Sequence, residues 1–135
     1  MKINYPALYV ITLSAFLVLD GLWLGLIAKN LYATQLKEIM TDNIKWGAAV
    51  IFYLLFIGML MYFVIVPALQ GGSMQIAATR GALFGLATYA TYDLTNYATL
   101  KGFPLNVVII DMIWGTVLSA GVASIAYLAY SKFVQ

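Results

Sequence analysis

The sequence predicts an all-α integral membrane protein, a bundle of four transmembrane helices with a short interfacial helix between helices 1 and 2. Two observations predict this class. Of the 135 residues, 64% are hydrophobic and 9% are charged, whereas soluble domains average about 25% charged residues. The apolar residues also fall into long runs, each able to cross about 30 Å of hydrocarbon as a helix. The length predicts a single domain over residues 1–135.

The first apolar run, residues 5–28, predicts helix 1. We expect it to stay uncleaved, because it is longer than the apolar core of a signal peptide and contains Asp20. Gly21 and Gly25 have the small-xxx-small spacing that allows two helices to approach closely. Residues 29–45 place apolar side chains at helical intervals, which predicts a short amphipathic helix at the membrane interface.

Helix 2 is predicted over residues 46–67, because tryptophan is typical of a membrane interface and Pro67 should end the helix. Helix 3, over residues 78–100, follows the breaker Gln-Gly-Gly-Ser. Helix 4 is predicted over residues 104–130, and the glycine and proline before it predict a tight antiparallel hairpin with helix 3. Both termini then lie on one side of the membrane. Lysine and arginine divide four to three between the two sides, which leaves the orientation open.

The composition also excludes several classes of function. The chain has no cysteine and no histidine, so the usual ligands of zinc, haem and iron–sulfur clusters are missing. We therefore expect no metal and no cofactor, and an enzyme is the less favoured class. The formal net charge is +2 with no basic run, which argues against binding to nucleic acid.

Three aspartates inside the apolar runs mark the candidate site. Asp93 and Asp111 each lie nine residues from Gly102, and Asp20 lies nine residues before Lys29, so all three should lie at one depth. Carboxylates inside a membrane usually face a bundle interior or a wet cavity and are functional candidates. If two of them came within about 5 Å, repulsion would favour keeping a proton on one.

Other polar side chains share this level, and their spacing places several of them on one helix face. In helix 3 the tyrosines, the carboxylate and the amide recur three or four residues apart. The candidate ligand-binding residues are Asp20, Trp23, Tyr89, Tyr92, Asp93, Thr95, Asn96, Asp111 and Trp114. No catalytic residue can be assigned among them.

The spacing Asp-x-x-Trp occurs twice, at Asp20–Trp23 and at Asp111–Trp114. The aspartate comes late in helix 1 but early in helix 4, which is not the pattern of an inverted repeat. We interpret the repeated spacing as coincidence or as shared packing.

Three segments carry a family resemblance: LDGLWLG in helix 1, GALFGLATYATYDLTNYATLKG through helix 3, and DMIWG in helix 4. Together they resemble a widespread bacterial family of small predicted membrane proteins, known as a domain of unknown function. TYDLTN is the most specific segment, and the candidate residues above, with Gly115, match the family pattern. The resemblance implies a four-helix membrane protein and supplies no activity.

The function predicted from these residues is the binding or transport of a proton or of a small cationic or polar solute. Two alternatives remain open. One is a lipid or isoprenoid binding protein, or a membrane enzyme acting on a lipid. The other is an assembly partner whose polar layer is purely structural. Membrane lipids and a second copy of the chain, as a homodimer, are the expected partners, and the bacterial inner membrane is the expected location.

Overall fold

The computed structural model describes residues 2–135, and this part of the chain is helical with no strand. Five helices follow one another: α1 (Tyr5–Ile27), α2 (Lys29–Gln35), α3 (Trp46–Gly71), α4 (Met74–Thr99) and α5 (Leu105–Phe133). Two of them contain a π-helical turn, Trp23–Ile27 at the end of α1 and Met61–Ile65 within α3.

Three of the helices, α1, α3 and α5, are long and apolar enough to cross a membrane. Only 11% of the most apolar stretch of α1 is buried within the protein, so most of its apolar side chains face outward. Lipid accepts such a surface, whereas water does not. The chain is therefore a membrane protein with helices able to span the bilayer. The fourth long helix, α4, has 26 residues but carries threonines, tyrosines and Asp93, and it is not among the three.

Helices α4 and α5 pack closely through residues without bulky side chains. A Cβ atom built on Gly85 would clash with the carbonyl oxygen of Gly115, and one on Gly81 would lie 2.8 Å from that of Ser119. The turn between the helices contains Gly102 with φ of +73°, a left-handed conformation that favours glycine. The resulting hairpin places Asp93 and Asp111 on neighbouring helices.

The predicted end of helix 2 at Pro67 is wrong, because α3 continues to Gly71. Proline normally disrupts a helix interior by removing a donor and crowding the preceding turn. Here the π-helical turn Met61–Ile65 directly precedes the last segment, in which Pro67 occupies the first turn, where a missing N–H is tolerated. The helix ends before Gly72, whose φ is +64°.

The amphipathic segment is helical over only part of its predicted length. Helix α2 covers residues 29–35, and turns follow it. Tyr32 and Leu36 pack on a cluster formed by Phe103, Val107 and Val108 at the start of α5. This contact turns α2 back towards the bundle and brings Tyr32 to the level of the aspartates.

Candidate functional site

Two tryptophans stack at the centre of the site. The rings of Trp23 from α1 and Trp114 from α5 have centroids 4.4 Å apart and planes inclined by 7°. This stack holds the end of α1 against the first half of α5. Each indole N–H is left pointing at the edge of the stack, where it can donate a hydrogen bond.

The two Asp-x-x-Trp segments are connected across the stack. Trp114 Nε1 donates to Asp20 Oδ1 at 3.2 Å. Trp23 Nε1 donates to the hydroxyl of Tyr32 at 3.1 Å, and this hydroxyl donates to Asp111 Oδ1 at 2.6 Å. The tryptophan of each segment is therefore hydrogen-bonded to the aspartate of the other segment, directly or through Tyr32. The repeated spacing reflects shared packing.

Tyr32 is a functional candidate that sequence reasoning missed, because its position within the amphipathic pattern suggested only an apolar contact. Burial, together with its hydrogen bond to Asp111, raises the pKa of the Tyr32 phenol above its ordinary value. The phenol therefore remains a proton donor to Asp111 throughout the physiological range.

A cavity of about 370 Å³ lies beside the tryptophan stack. Its wall contains two carboxyl groups, a set of aromatic rings and several aliphatic side chains, and the part of the chain that the structure describes contributes no lysine or arginine to it. The lining residues are Asp20, Trp23, Leu24, Tyr32, Leu36, Met40, Tyr53, Tyr89, Tyr92, Val107, Asp111 and Trp114. We call this space the acidic cavity.

A second cavity, of about 480 Å³, lies on the other side of three of these residues. Tyr89, Tyr92 and Asp111 line both spaces, and the rest of the second wall is mostly small or apolar, from Ala48, Ala49, Phe52 and Thr88. We call it the apolar cavity. The two tyrosines and Asp111 therefore form a partition between an acidic and an apolar space.

Asp93 lines neither of these two cavities. It is fully buried, and no hydrogen-bond donor among residues 2–135 reaches either of its carboxyl oxygens. Asp111 lies within hydrogen-bonding reach of a protonated Asp93. Asp93 is thus the one site aspartate without a donor from the described chain, since Asp20 and Asp111 each accept a hydrogen bond from an aromatic side chain.

Six of the nine sequence-derived site residues line the acidic cavity, namely Asp20, Trp23, Tyr89, Tyr92, Asp111 and Trp114. Asp93 lies beside it. Thr95 and Asn96 line neither cavity. The hydroxyl of Thr95 is exposed and bonds to backbone carbonyls of its own helix, at Thr91 and Tyr92. The additional polar lining residues are Tyr32 and Tyr53.

These features define the class: a helical membrane protein with an acidic, aromatic cavity between its helices. Within residues 2–135 no three histidine, cysteine or acidic side chains are grouped so that they could hold a metal ion. The chain belongs to the family described as "Predicted membrane protein (DUF2177)", which matches residues 5–128 and has no known function. This match confirms the family predicted from the sequence. No curated protein and no solved structure matches the chain significantly.

Proposed function

We propose that this protein binds a small cationic solute in the acidic cavity. The observation that carries the proposal is the composition of the cavity wall, in which Asp20 and Asp111 supply carboxyl groups and no described residue is basic. A cation entering the cavity would be attracted by this uncompensated negative charge, strongly so because the surroundings are of low dielectric.

The aromatic rings of the cavity wall favour an organic cation over a metal ion. The faces of tryptophan and tyrosine attract cations, and aromatic cages of this kind recognise quaternary ammonium groups. A hydrated metal ion would instead need several oxygen ligands. The volume of about 370 Å³ falls within the range of about 300–1,000 Å³ typical of small-molecule sites. An amine or quaternary ammonium compound therefore suits the cavity best.

Calorimetric titration with tetraethylammonium, on protein in lipid nanodiscs, tests the proposal. We expect saturable binding to the wild type and an affinity about 10- to 100-fold lower for Asp111→Asn, since about 1.4 kcal/mol corresponds to each factor of ten. Asp42→Asn is the matched control, because it removes the same charge from an exposed loop position. Absence of binding to the wild type, or equal affinity for wild type and Asp111→Asn, would contradict the proposal.

We also propose that α4 is a fourth transmembrane helix and that α2 lies at the interface beside the acidic cavity. The 26 residues of α4 would span about 39 Å, enough for the hydrocarbon core. Its threonines bond to carbonyls of their own helix, as Thr88 does to Phe84 at 2.9 Å and Thr91 to Ala87 at 2.8 Å. Such bonds lower the cost of placing hydroxyls in lipid.

The cysteine-free chain makes this topology simple to test. Gln70→Cys and Lys101→Cys lie at exposed positions beyond opposite ends of α4. We expect a membrane-impermeant maleimide to label them from opposite sides, because α4 crosses between them. Lys37→Cys is the control and should react from the same side as Lys101→Cys. Labelling of Gln70→Cys and Lys101→Cys from one side would mean that α4 does not cross.

A lipid is the second candidate ligand, and the apolar cavity is the observation that favours it. An apolar chain could lie along Phe52 and the neighbouring alanines while its polar group met Tyr92 or Asp111 at the partition. A lipid that stays bound to the wild type in native mass spectrometry, and is lost from Ala49→Phe, would favour this candidate. If neither ligand binds and Asp111→Asn only destabilises the fold, the polar layer is purely structural.

A further inference from the structure

We propose that Asp93 is a proton-binding site coupled to the acidic cavity: its protonated carboxyl donates a hydrogen bond to Asp111, and cation binding in the cavity releases the proton. The coupling rests on the proposed function, whereas the proton site itself does not. The sequence already suggested that neighbouring carboxyl groups would share a proton, and the geometry assigns the proton to a particular residue.

The first step concerns the surroundings of Asp93. Its side chain is fully buried, and neither oxygen receives a hydrogen bond from any donor in the described chain. An ionised carboxylate in such a place has lost its hydrogen bonds to water and has no hydrogen bonds from the protein to replace them, which costs free energy. The neutral acid avoids this cost, and it also carries an O–H that can donate to the neighbouring Asp111.

The second step concerns the titratable groups that face Asp93. Asp111 faces it from α5, Tyr32 from α2, and Tyr92 is its neighbour on α4. None of the three is cationic, and the Tyr32 hydroxyl already donates a hydrogen bond to Asp111. Asp111 can therefore remain the anion of the pair, accepting hydrogen bonds from Tyr32 and from the Asp93 acid, while Asp93 carries the proton.

The third step connects this pair to the cavity. Asp111 lines the acidic cavity and Asp93 does not, so a bound cation meets Asp111 directly. The cation competes with the Asp93 O–H for the same carboxylate, and its charge favours ionisation of Asp93. The O–H bond of Asp93 then breaks and the proton passes to water, so that one positive charge leaves as another enters. By thermodynamic linkage, protonation of Asp93 must weaken cation binding by the same factor by which the bound cation weakens proton binding at Asp93.

The pH dependence of tetraethylammonium binding tests the coupling. We expect the affinity of the wild type to rise with pH, by up to tenfold per pH unit where one proton is released per cation. Asp93→Asn should bind with an affinity independent of pH, because its amide keeps the shape of the acid and can still donate to Asp111. Calorimetry in two buffers of different protonation enthalpy should show proton release by the wild type and none by Asp93→Asn. Equal pH slopes or equal proton release would overturn the coupling.

Infrared spectroscopy tests the proton site without any cation. At neutral pH the wild type should show the C=O stretching band of a protonated carboxylic acid, with the isotope shift of an exchangeable proton in deuterated buffer. Asp93→Asn should lack this band, and Asp42→Asn should retain it. Absence of the band from the wild type would overturn the proton site even if the variant failed to fold. Its presence without tetraethylammonium binding would support the site and reject the proposed function.

Discussion

Gly85→Ala is expected to lower the free energy of unfolding by about 1–3 kcal/mol or more, because the added methyl group would overpack the α4–α5 contact. At this position a Cβ atom would clash with the carbonyl oxygen of Gly115 and would lie 2.6 Å from the hydroxyl oxygen of Ser119. The nearer neighbour is backbone, so the helices themselves must move apart. Thermal unfolding in detergent, monitored by circular dichroism, measures the effect.

Gly58→Ala is the matched control, since a Cβ atom built on this helical glycine meets nothing within 4 Å. Alanine at such a position should leave stability unchanged or raise it by roughly 0.5–1 kcal/mol. The separation caused by Gly85→Ala should also reach the site, because Tyr89 lies one turn further along α4 and packs against Gly115. Unfolding of Gly85→Ala at the wild-type temperature would be incompatible with so close a helix contact.

Trp114→Ala should cause the second large loss, about 3 kcal/mol or more of folding free energy. The substitution removes the ring stacked on Trp23 and, within residues 2–135, the only hydrogen-bond donor to the Asp20 carboxyl group. The space left by the ring adds to the cost, as does a half-buried carboxyl group without its donor. Unfolding in detergent, with the same protocol, gives the value.

Trp46→Ala is the control for this second prediction, because Trp46 is 68% exposed within the chain. Away from packed features, substitutions usually change stability by less than about 0.5 kcal/mol. The loss of stability in Trp114→Phe should lie between those of Trp114→Ala and Trp46→Ala, since phenylalanine keeps an aromatic ring but has no indole N–H. If Trp114→Ala unfolds no earlier than Trp46→Ala, the stacked pair does not hold α1 to α5.

The depth of the candidate site was predictable from residue counts. Asp93 and Asp111 stand at equal distances from the turn at Gly102, and a helix converts residue number into distance by a constant rise. The two carboxyl groups do lie beside each other across the hairpin. Asp20 also reaches this level, where it lines the acidic cavity with Asp111. Counting residues could not indicate which way each side chain points around its helix.

The small-xxx-small pattern shows how the same local spacing can have different outcomes. Gly81 and Gly85 form the tight contact with α5, as their spacing suggests. Gly21 and Gly25 have the same spacing, yet a Cβ atom on either would meet nothing within 4 Å in the described chain. No helix of the described chain therefore uses the spacing of Gly21 and Gly25 for a close approach. Spacing alone defines a flat helix face, and a second helix must be present before that face becomes a contact.

The sequence by itself determined the membrane class, the positions of the apolar helices and the depth of the carboxyl groups. Each depends on the composition of one continuous stretch of chain and on the constant rise of a helix. Both are local properties, and they decide whether that stretch partitions into lipid. Only the tertiary structure decided that Tyr32 bonds to Asp111, that Trp114 bonds to Asp20, and that Asp93 receives no hydrogen bond from the residues described. These depend on the rotation of helices about their axes and on the return of α2 towards α5. Contacts between distant segments set both, and no local pattern contains them.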